Sequence, residues 1–115
     1  MTAVLVAVAG GLGVLARHLL SSAVQGPWTI VAINVAGSFL LGLLVAAAWA
    51  SPQARTVAGA GFLGGFTTFS TFSVQVVSDL DAGRPAHALA YLLVSVVLGV
   101  LTAAAGFWLA GGVQR

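Results

Sequence analysis

The amino-acid sequence predicts an all-α membrane protein with four transmembrane helices, and three observations lead to that class. Hydrophobic residues make up 60% of the 115-residue chain, and its mean hydropathy is +1.12. Charged side chains account for only 5% of residues, whereas soluble proteins carry about a quarter. Several charge-free stretches are also long enough to cross a bilayer, which takes about 20 apolar residues. The chain is therefore expected to be solvated by lipid.

The charged residues divide the chain into spans. No Asp, Glu, Lys or Arg occurs in residues 1–16, 18–54, 56–78 or 85–114. The second stretch is too long for one helix and contains turn-forming residues between Ser21 and Pro27. The predicted spans are 3–20, 28–50, 56–78 and 87–110, and the whole chain, 1–115, is expected to be one transmembrane domain. The first span lacks the basic flank of a signal peptide and is expected to stay in the protein.

Composition also excludes several function classes. The chain contains no cysteine, which removes disulfides, thiolate metal sites and cysteine nucleophiles. Its positive charge comes from four arginines against two aspartates, which is not a basic patch of the kind that binds nucleic acid. No catalytic pair of His, Cys or carboxylate lies at membrane depth, so an enzyme is not expected.

The arginines give no clear orientation. With four spans both termini lie on one side, which carries Arg55 and Arg115, while the other side carries Arg84 and Arg17. Because basic residues near span ends set topology, this equal count predicts insertion in both directions. Four helices leave little room for an internal water-filled path. An antiparallel homodimer would supply such a path at its interface.

The ionisable residues near span ends have simple interpretations. Arg17 either draws anions into a vestibule or extends towards the lipid headgroups. Asp79, Asp81, Arg84 and His87 are expected to form a solvated turn that caps the fourth span.

The third span has an unusual composition. Four glycines lie in its first half, and Ser, Thr and Gln are frequent after Phe66. The helix is predicted to break at Gly64 and Gly65, near Gly64–Thr67. Non-helical backbone occurs at membrane depth only where its N–H and C=O groups find hydrogen-bond partners in the protein or in a water-filled cavity. A break would therefore indicate a binding site. Free carbonyls would suit a hard cation such as sodium, whereas amide and hydroxyl donors would suit an anion.

Helical spacing predicts polar faces on three spans. The third carries a polar stripe with phenylalanines beside it, and the second and fourth carry weaker ones. The alternative is that the rings pack and the hydroxyls bond to their own helix. Donors and ring edges without a ring of carboxylates favour a small anion. The members of the stripes are Thr68, Thr71, Gln75 and Ser78, with Phe66, Phe69 and Phe72; Asn34, Ser38 and Gly42; and Tyr91, Ser95, Gly99 and Thr102.

The run from Gly64 to Phe72, with Asn34–Phe39 upstream and Gly10–Gly13 leading to Arg17, resembles the Fluc (CrcB-type) fluoride channel family over essentially the whole chain. The resemblance implies a multi-pass protein of the bacterial plasma membrane that exports fluoride passively and relieves its toxicity. It also implies an antiparallel, dual-topology homodimer in lipid, with two fluoride pores and a structural Na⁺ at the dimer axis.

The resemblance also implies roles for individual residues. The Na⁺ would be held by the carbonyls of Gly64 and Thr67, and Arg17 would lie near the vestibule. One departure is Gly99, which stands where a serine is often found, so that Thr102 would complete the polar track. The implied fluoride-binding residues are the pore amide of Asn34, the ring edges of Phe69 and Phe72, and the hydroxyls of Ser70, Thr71, Tyr91 and Ser95.

Two rival functions have different requirements. A small dual-topology exporter of cationic drugs has four spans but needs a titratable carboxylate in the membrane, and the chain has no Glu. A structural or holin-like subunit would show packing patterns without the concentrated Thr and Phe segment.

Overall fold

The computed structural model describes residues 1–112, which form helices and short connections with no β-strand among them. Four helical spans are long and apolar enough to cross a membrane, which confirms the predicted all-α class. Arg115, used in the orientation argument, lies outside the described residues. The elements are α1 (Thr2–Ala23), α2 (Pro27–Ala46), α3 (Pro52–Arg55), a π-helix (Thr56–Leu63), α4 (Gly64–Phe66), α5 (Phe69–Asp81) and α6 (Pro85–Leu109).

The connection between the second and third spans differs from the predicted bounds. The second helix ends at Ala46, where Arg55 Nη2 donates to the carbonyl of Ala47 at 2.7 Å. The third span already begins at Pro52, because Ser51 Oγ accepts from the amide of Ala54 at 3.1 Å and caps the first turn. Arg55 therefore lies inside the helical span and closes the preceding turn, whereas the sequence argument used it as a boundary.

Glycines allow two pairs of spans to pack backbone against backbone. A Cβ at Gly13 of α1 would overlap the carbonyl oxygen of Phe62, and one at Gly65 would overlap that of Gly10. On the other side of the bundle, a Cβ at Gly42 of α2 would overlap the carbonyl of Ala103 in α6. Small residues at such contacts are how membrane helices approach closely.

Two residues between α4 and α5, here called the Thr67–Thr68 link, have extended backbone angles. Thr67 has φ −90° and ψ 158°, and Thr68 has φ −150° and ψ 115°. The predicted position of the break, the Gly64–Gly65 pair, is instead helical, with φ −62° and ψ −37° at Gly64. The glycine pair stays helical because Gly65 packs against α1. The extended residues are the threonines, since β-branched residues readily adopt extended angles.

The predicted solvated turn between the third and fourth spans is wrong in two respects, the burial of Asp79 and the absence of a side-chain cap on α6. Asp79 lies in the last turn of α5 and is 0% exposed. It accepts hydrogen bonds from Gln75 and Arg84 and is bonded to His87, because a buried carboxylate requires partners. No side chain caps α6, whose N-cap residue is Arg84.

Candidate functional site

Side chains from three spans line one groove, here called the polar groove. Its volume is about 360 Å³. The second span contributes Asn34 and Ser38, α5 contributes Phe69 and Phe72, and α6 contributes Ser95. None of the lining residues is acidic. With Gly99 of α6, the structure thus brings together six members of the stripes that helical spacing predicted. The groove offers donors and ring edges without a carboxylate.

A second cavity of about 520 Å³ adjoins the groove, because Asn34, Ser38 and Phe69 line both. Gly64 and Thr67 lie in its wall. A larger cavity of about 590 Å³ beside α1 and α2 is lined mostly by apolar side chains and offers an ion few donors. The polar chemistry is therefore concentrated around Asn34.

Asn34 binds the Thr67–Thr68 link with both ends of its amide. Its Oδ1 accepts from the backbone N–H of Thr68 at 2.9 Å, and its Nδ2 donates to the carbonyl of Thr68 at 3.1 Å. Backbone that leaves a helix inside a membrane needs such replacement partners. Since the amide nitrogen carries two hydrogens, one donor on Asn34 remains for the groove.

The Thr68 hydroxyl organises the start of α5. Its Oγ1 accepts from the amide of Thr71 at 3.2 Å, which caps the helix, and donates to the hydroxyl of Thr71 at 3.1 Å. The hydroxyl of Ser70 lies 3.2 Å from the same atom. Within one chain, Ser70 and Thr71 are exposed and face a separate cavity of about 310 Å³. They therefore lie apart from the groove in which Asn34 and Phe72 meet.

The two predicted pore phenylalanines have different environments. Phe69 is 78% exposed, whereas Phe72 is 6% exposed and belongs to the apolar core. Their ring centroids are 5.6 Å apart, and Phe72 also stacks on Tyr91 at 5.5 Å. Phe72 is thus held rigidly in the groove wall, while Phe69 has little cover from its own chain.

Two buried hydroxyls stand out on α6. The oxygens of Tyr91 and Ser95 are buried and have no hydrogen-bond partner among the described residues. The alternative in which hydroxyls bond to their own helix does hold for Ser73 and Thr102, which donate to Phe69 and Leu98 carbonyls. Because buried polar groups are nearly always paired and Ser95 lines the polar groove, its hydroxyl is available to a ligand or water there.

Arg17 contacts the third span rather than solvent. Its Nε donates to the carbonyl of Gly65 at 3.2 Å, and the side chain is half-buried. That carbonyl belongs to the last turn of α4, where backbone oxygens lose their helical partners and cations are favoured. Arg17 lines neither polar cavity, so in this chain it supports the backbone next to the Thr67–Thr68 link.

The carbonyls of Gly64 and Thr67 have both lost their usual helical donors. In a continuous helix the Gly64 oxygen would accept from the amide of Thr68, which is bonded to Asn34 instead. The Thr67 oxygen would accept from the amide of Thr71, which is bonded to the Thr68 hydroxyl instead. The amides of Thr68 and Thr71 thus donate to side-chain oxygens, and the carbonyls of Gly64 and Thr67 no longer receive these hydrogen bonds. The family resemblance implied these two carbonyls as cation ligands, which stays a prediction, whereas Thr68 was placed in the polar stripe without a role in holding the link.

Four apolar spans around a donor-lined groove define a small multi-pass membrane protein suited to a small anion. A family model described as CrcB-like protein, Camphor Resistance (CrcB), matches residues 4–107. The chain belongs to this family. The Fluoride-specific ion channel FluC 1 of Symbiobacterium thermophilum is 41% identical, over 97% of this chain and 99% of the relative.

Other relatives extend the comparison. The Fluoride-specific ion channel FluC of Chelativorans sp. is 42% identical over 92% of this chain and 93% of the relative. FluC 2 of Moorella thermoacetica is 44% identical over 90% of this chain and 91% of the relative. These matches confirm the family resemblance drawn from the sequence, and they come from bacteria, as expected for a multi-pass plasma-membrane protein.

Proposed function

We propose that this chain forms a fluoride-selective channel that carries fluoride passively out of the cell and relieves its toxicity. The observation that supports this most directly is the meeting of Asn34, Phe72 and Ser95, from three spans, in one groove without a carboxylate. Family membership and the printed names of the relatives support the same ion. The function is transport, without covalent chemistry.

Donors in the groove replace the water that fluoride loses. Fluoride is small and tightly hydrated, so several donors must act together. The spare N–H of Asn34 and the free hydroxyl of Ser95 each offer one, and the edge of the Phe72 ring carries partial positive charge. A hydrogen bond to a charged group contributes about 1.5 to 3 kcal/mol. Two or three such contacts replace part of the hydration shell that fluoride sheds.

The pore is completed by a second, antiparallel copy. Phe69 leaves 78% of its surface uncovered although it lines both polar cavities. Ser70 and Thr71 are also exposed. A partner copy on this face would cover the ring and bring the hydroxyls into a closed path, and the small difference in arginine count between the two sides allows opposite insertion.

A structural Na⁺ is proposed at the dimer axis, held by the Gly64 and Thr67 carbonyls. Both oxygens have lost their helical donors to side chains, and carbonyls are suitable ligands for a hard cation. Among residues 1–112 no three His, Asp or Glu side chains cluster as ligands, so backbone oxygens would have to supply the site. When bound, the ion would hold the two copies together by electrostatic attraction.

The two rival functions fit the structure less well. An exporter coupled to protons needs a titratable carboxylate on its path, but Asp79 is bonded to Arg84 and His87 and does not line the polar groove. A purely structural subunit does not require polar and aromatic side chains of three spans to meet in one groove.

Efflux from liposomes tests the function. The purified chain is reconstituted alone into vesicles loaded with potassium fluoride, and efflux is followed with a fluoride electrode after addition of a potassium ionophore. We expect rapid fluoride efflux and no matching efflux from chloride-loaded vesicles. Equal rates for both halides would contradict selectivity. Absence of efflux in both salts would favour the structural subunit.

Removal of sodium tests the cation separately. We expect the chain, purified and reconstituted with potassium as the only metal cation, to lose most of its fluoride efflux and to recover it when sodium is restored. Fluoride efflux that is indifferent to sodium would overturn the cation site while leaving the channel function intact.

A further inference from the structure

A histidine continues the polar row of α6 beyond the groove. His87, Tyr91, Ser95 and Gly99 are spaced four residues apart and therefore lie along one face of the helix. At 1.5 Å per residue, the row is about 18 Å long. Ser95 and Gly99 line the polar groove, so His87 occupies the end of the row at the first turn of α6.

A buried carboxylate holds this histidine. Asp79 is 0% exposed, and its Oδ2 lies 2.6 Å from His87 Nδ1. Its other oxygen accepts from Arg84 Nη2 at 3.1 Å and from Gln75 Nε2 at 2.9 Å. Because a buried charge must be paired, these contacts fix the position of the imidazole. The His87 side chain itself remains 34% exposed.

Stacked rings connect His87 to the groove. The imidazole lies 6.3 Å from the Tyr91 ring with 21° between their planes, and Tyr91 stacks on Phe72 at 5.5 Å. The indole of Trp28 meets both His87 and Tyr91 edge-on, at 5.7 and 5.4 Å. The orientation of the imidazole is thus tied to a ring that lines the polar groove.

The second imidazole nitrogen changes its role with protonation. With Nδ1 donating to Asp79, neutral His87 presents a lone pair at Nε2, which repels an anion, whereas charged His87 presents an N–H donor. The charged or titratable groups that face it are Asp79 from α5, Arg84 from the turn and Tyr91 on its own helix; Trp28 from α2 is uncharged. Asp79 and Arg84 cancel, so protonation changes the local charge from zero to +1.

We propose that His87 is the outermost anion-binding residue of the fluoride path, that Asp79 positions it, and that protonation of His87 increases fluoride flux. This inference rests on the proposed function, since it takes the polar groove as the path. An attractive charge at a mouth raises the local concentration of an anion and its rate of entry.

Fluoride efflux is measured with equal pH on both sides of the membrane, between about pH 5.5 and pH 8, where histidine titrates. Leakage from protein-free vesicles is subtracted at each pH. We expect wild-type efflux to be several-fold faster at the acidic end. His87→Gln should give a slow rate that does not change with pH, and His87→Arg a fast rate that does not change. The only other histidine of the chain, His18, is exposed, so His18→Gln is the matched control and should keep the wild-type profile.

Each alternative outcome has a separate meaning. Wild-type efflux that does not vary with pH, or a normal pH profile in His87→Gln, would overturn the role of His87 without affecting the channel assignment. A profile abolished by His18→Gln would do the same. Absence of wild-type fluoride efflux at every pH would instead contradict the proposed function. Size-exclusion profiles establish that both His87 variants are folded, and the opposite levels expected for Gln and Arg exclude a general loss of structure.

Discussion

Ser95 and Ser73 are both half-buried serines of membrane helices, but only one has a free hydroxyl. Ser73 donates to the carbonyl of Phe69 at 2.9 Å, whereas the buried oxygen of Ser95 has no partner among the described residues and faces the polar groove. We expect Ser95→Ala to slow fluoride efflux by about 10- to 100-fold, the equivalent of one hydrogen bond to an anion. Ser73→Ala is the matched control and should leave the rate unchanged. Equal efflux rates in the two variants would show that Ser95 does not contact the permeating ion.

Asn34 has two roles that one substitution removes together. Asn34→Ala takes away a donor in the groove and also leaves the backbone N–H of Thr68 without an acceptor, while the Thr68 carbonyl, which accepts the first bond of α5, loses its second donor. Each buried group left without a partner costs about 1 to 3 kcal/mol. We therefore expect loss of fluoride efflux together with a lower thermal unfolding temperature in detergent. Normal stability with lost efflux would show that water replaces the amide at Thr68. Wild-type efflux would contradict any pore role.

Helical spacing placed Asn34, Phe72 and Ser95 on stripes of three spans, and the structure brings them to one groove, because polar residues repeated on one face of an apolar helix tend to face protein. The spacing placed Thr71 on the stripe of the third span and did not include Ser70, but both hydroxyls follow the local capping geometry around Thr68 and line a separate cavity. It also assigned Asp79 to solvent, since the pairing with His87 crosses a turn whose shape the sequence does not specify. The i, i+4 pair of Gln75 and Asp79 was the available signal for a buried carboxylate.

At the scale of elements, the glycines of α1 are not equivalent. A Cβ at Gly13 would overlap the carbonyl of Phe62, whereas nothing lies within 4 Å of one at Gly11. We expect Gly13→Ala to destabilise the protein by about 1 to 3 kcal/mol through overpacking. Gly11→Ala should be neutral or slightly stabilising because alanine favours the helix. Thermal unfolding of both variants in the same detergent measures the difference. A similar unfolding temperature for the two would contradict close packing of α1 against the π-helix.

The sequence predicted an irregular third span but not the position of its extended residues. Its many glycines indicated an irregular helix, and the structure uses them for contact with neighbouring spans and for a π-helix of eight residues. The extended residues are threonines, because Asn34 of another span supplies the partners that their backbone needs. The position of the extended residues therefore depends on a tertiary contact with the second span, and the sequence of the third span alone does not reveal it. A functional break bound to sodium stays a prediction.

At the scale of the whole molecule, the proposed insertion in both directions depends on a small charge difference. Arg17 is bonded to Gly65 inside the protein, which leaves Arg84 on one side against Arg55 and Arg115 on the other. Such a small imbalance allows both orientations and can be reversed by a single added charge. Two exposed glutamines offer matched positions, Gln25 between the first two spans and Gln53 at the start of the third.

We expect Gln25→Lys and Gln53→Lys to bias insertion in opposite directions, because each added charge keeps its own loop in the cytoplasm. Since the chain has no cysteine, a single Ala82→Cys reporter and a membrane-impermeant maleimide measure the orientation in cells. The wild type should be labelled in part, one lysine variant almost fully and the other hardly at all. If the pore requires two opposed copies, each lysine variant alone will confer little fluoride resistance, and their co-expression will restore it. Full resistance from either variant alone, with its orientation uniform, would show that a parallel assembly conducts.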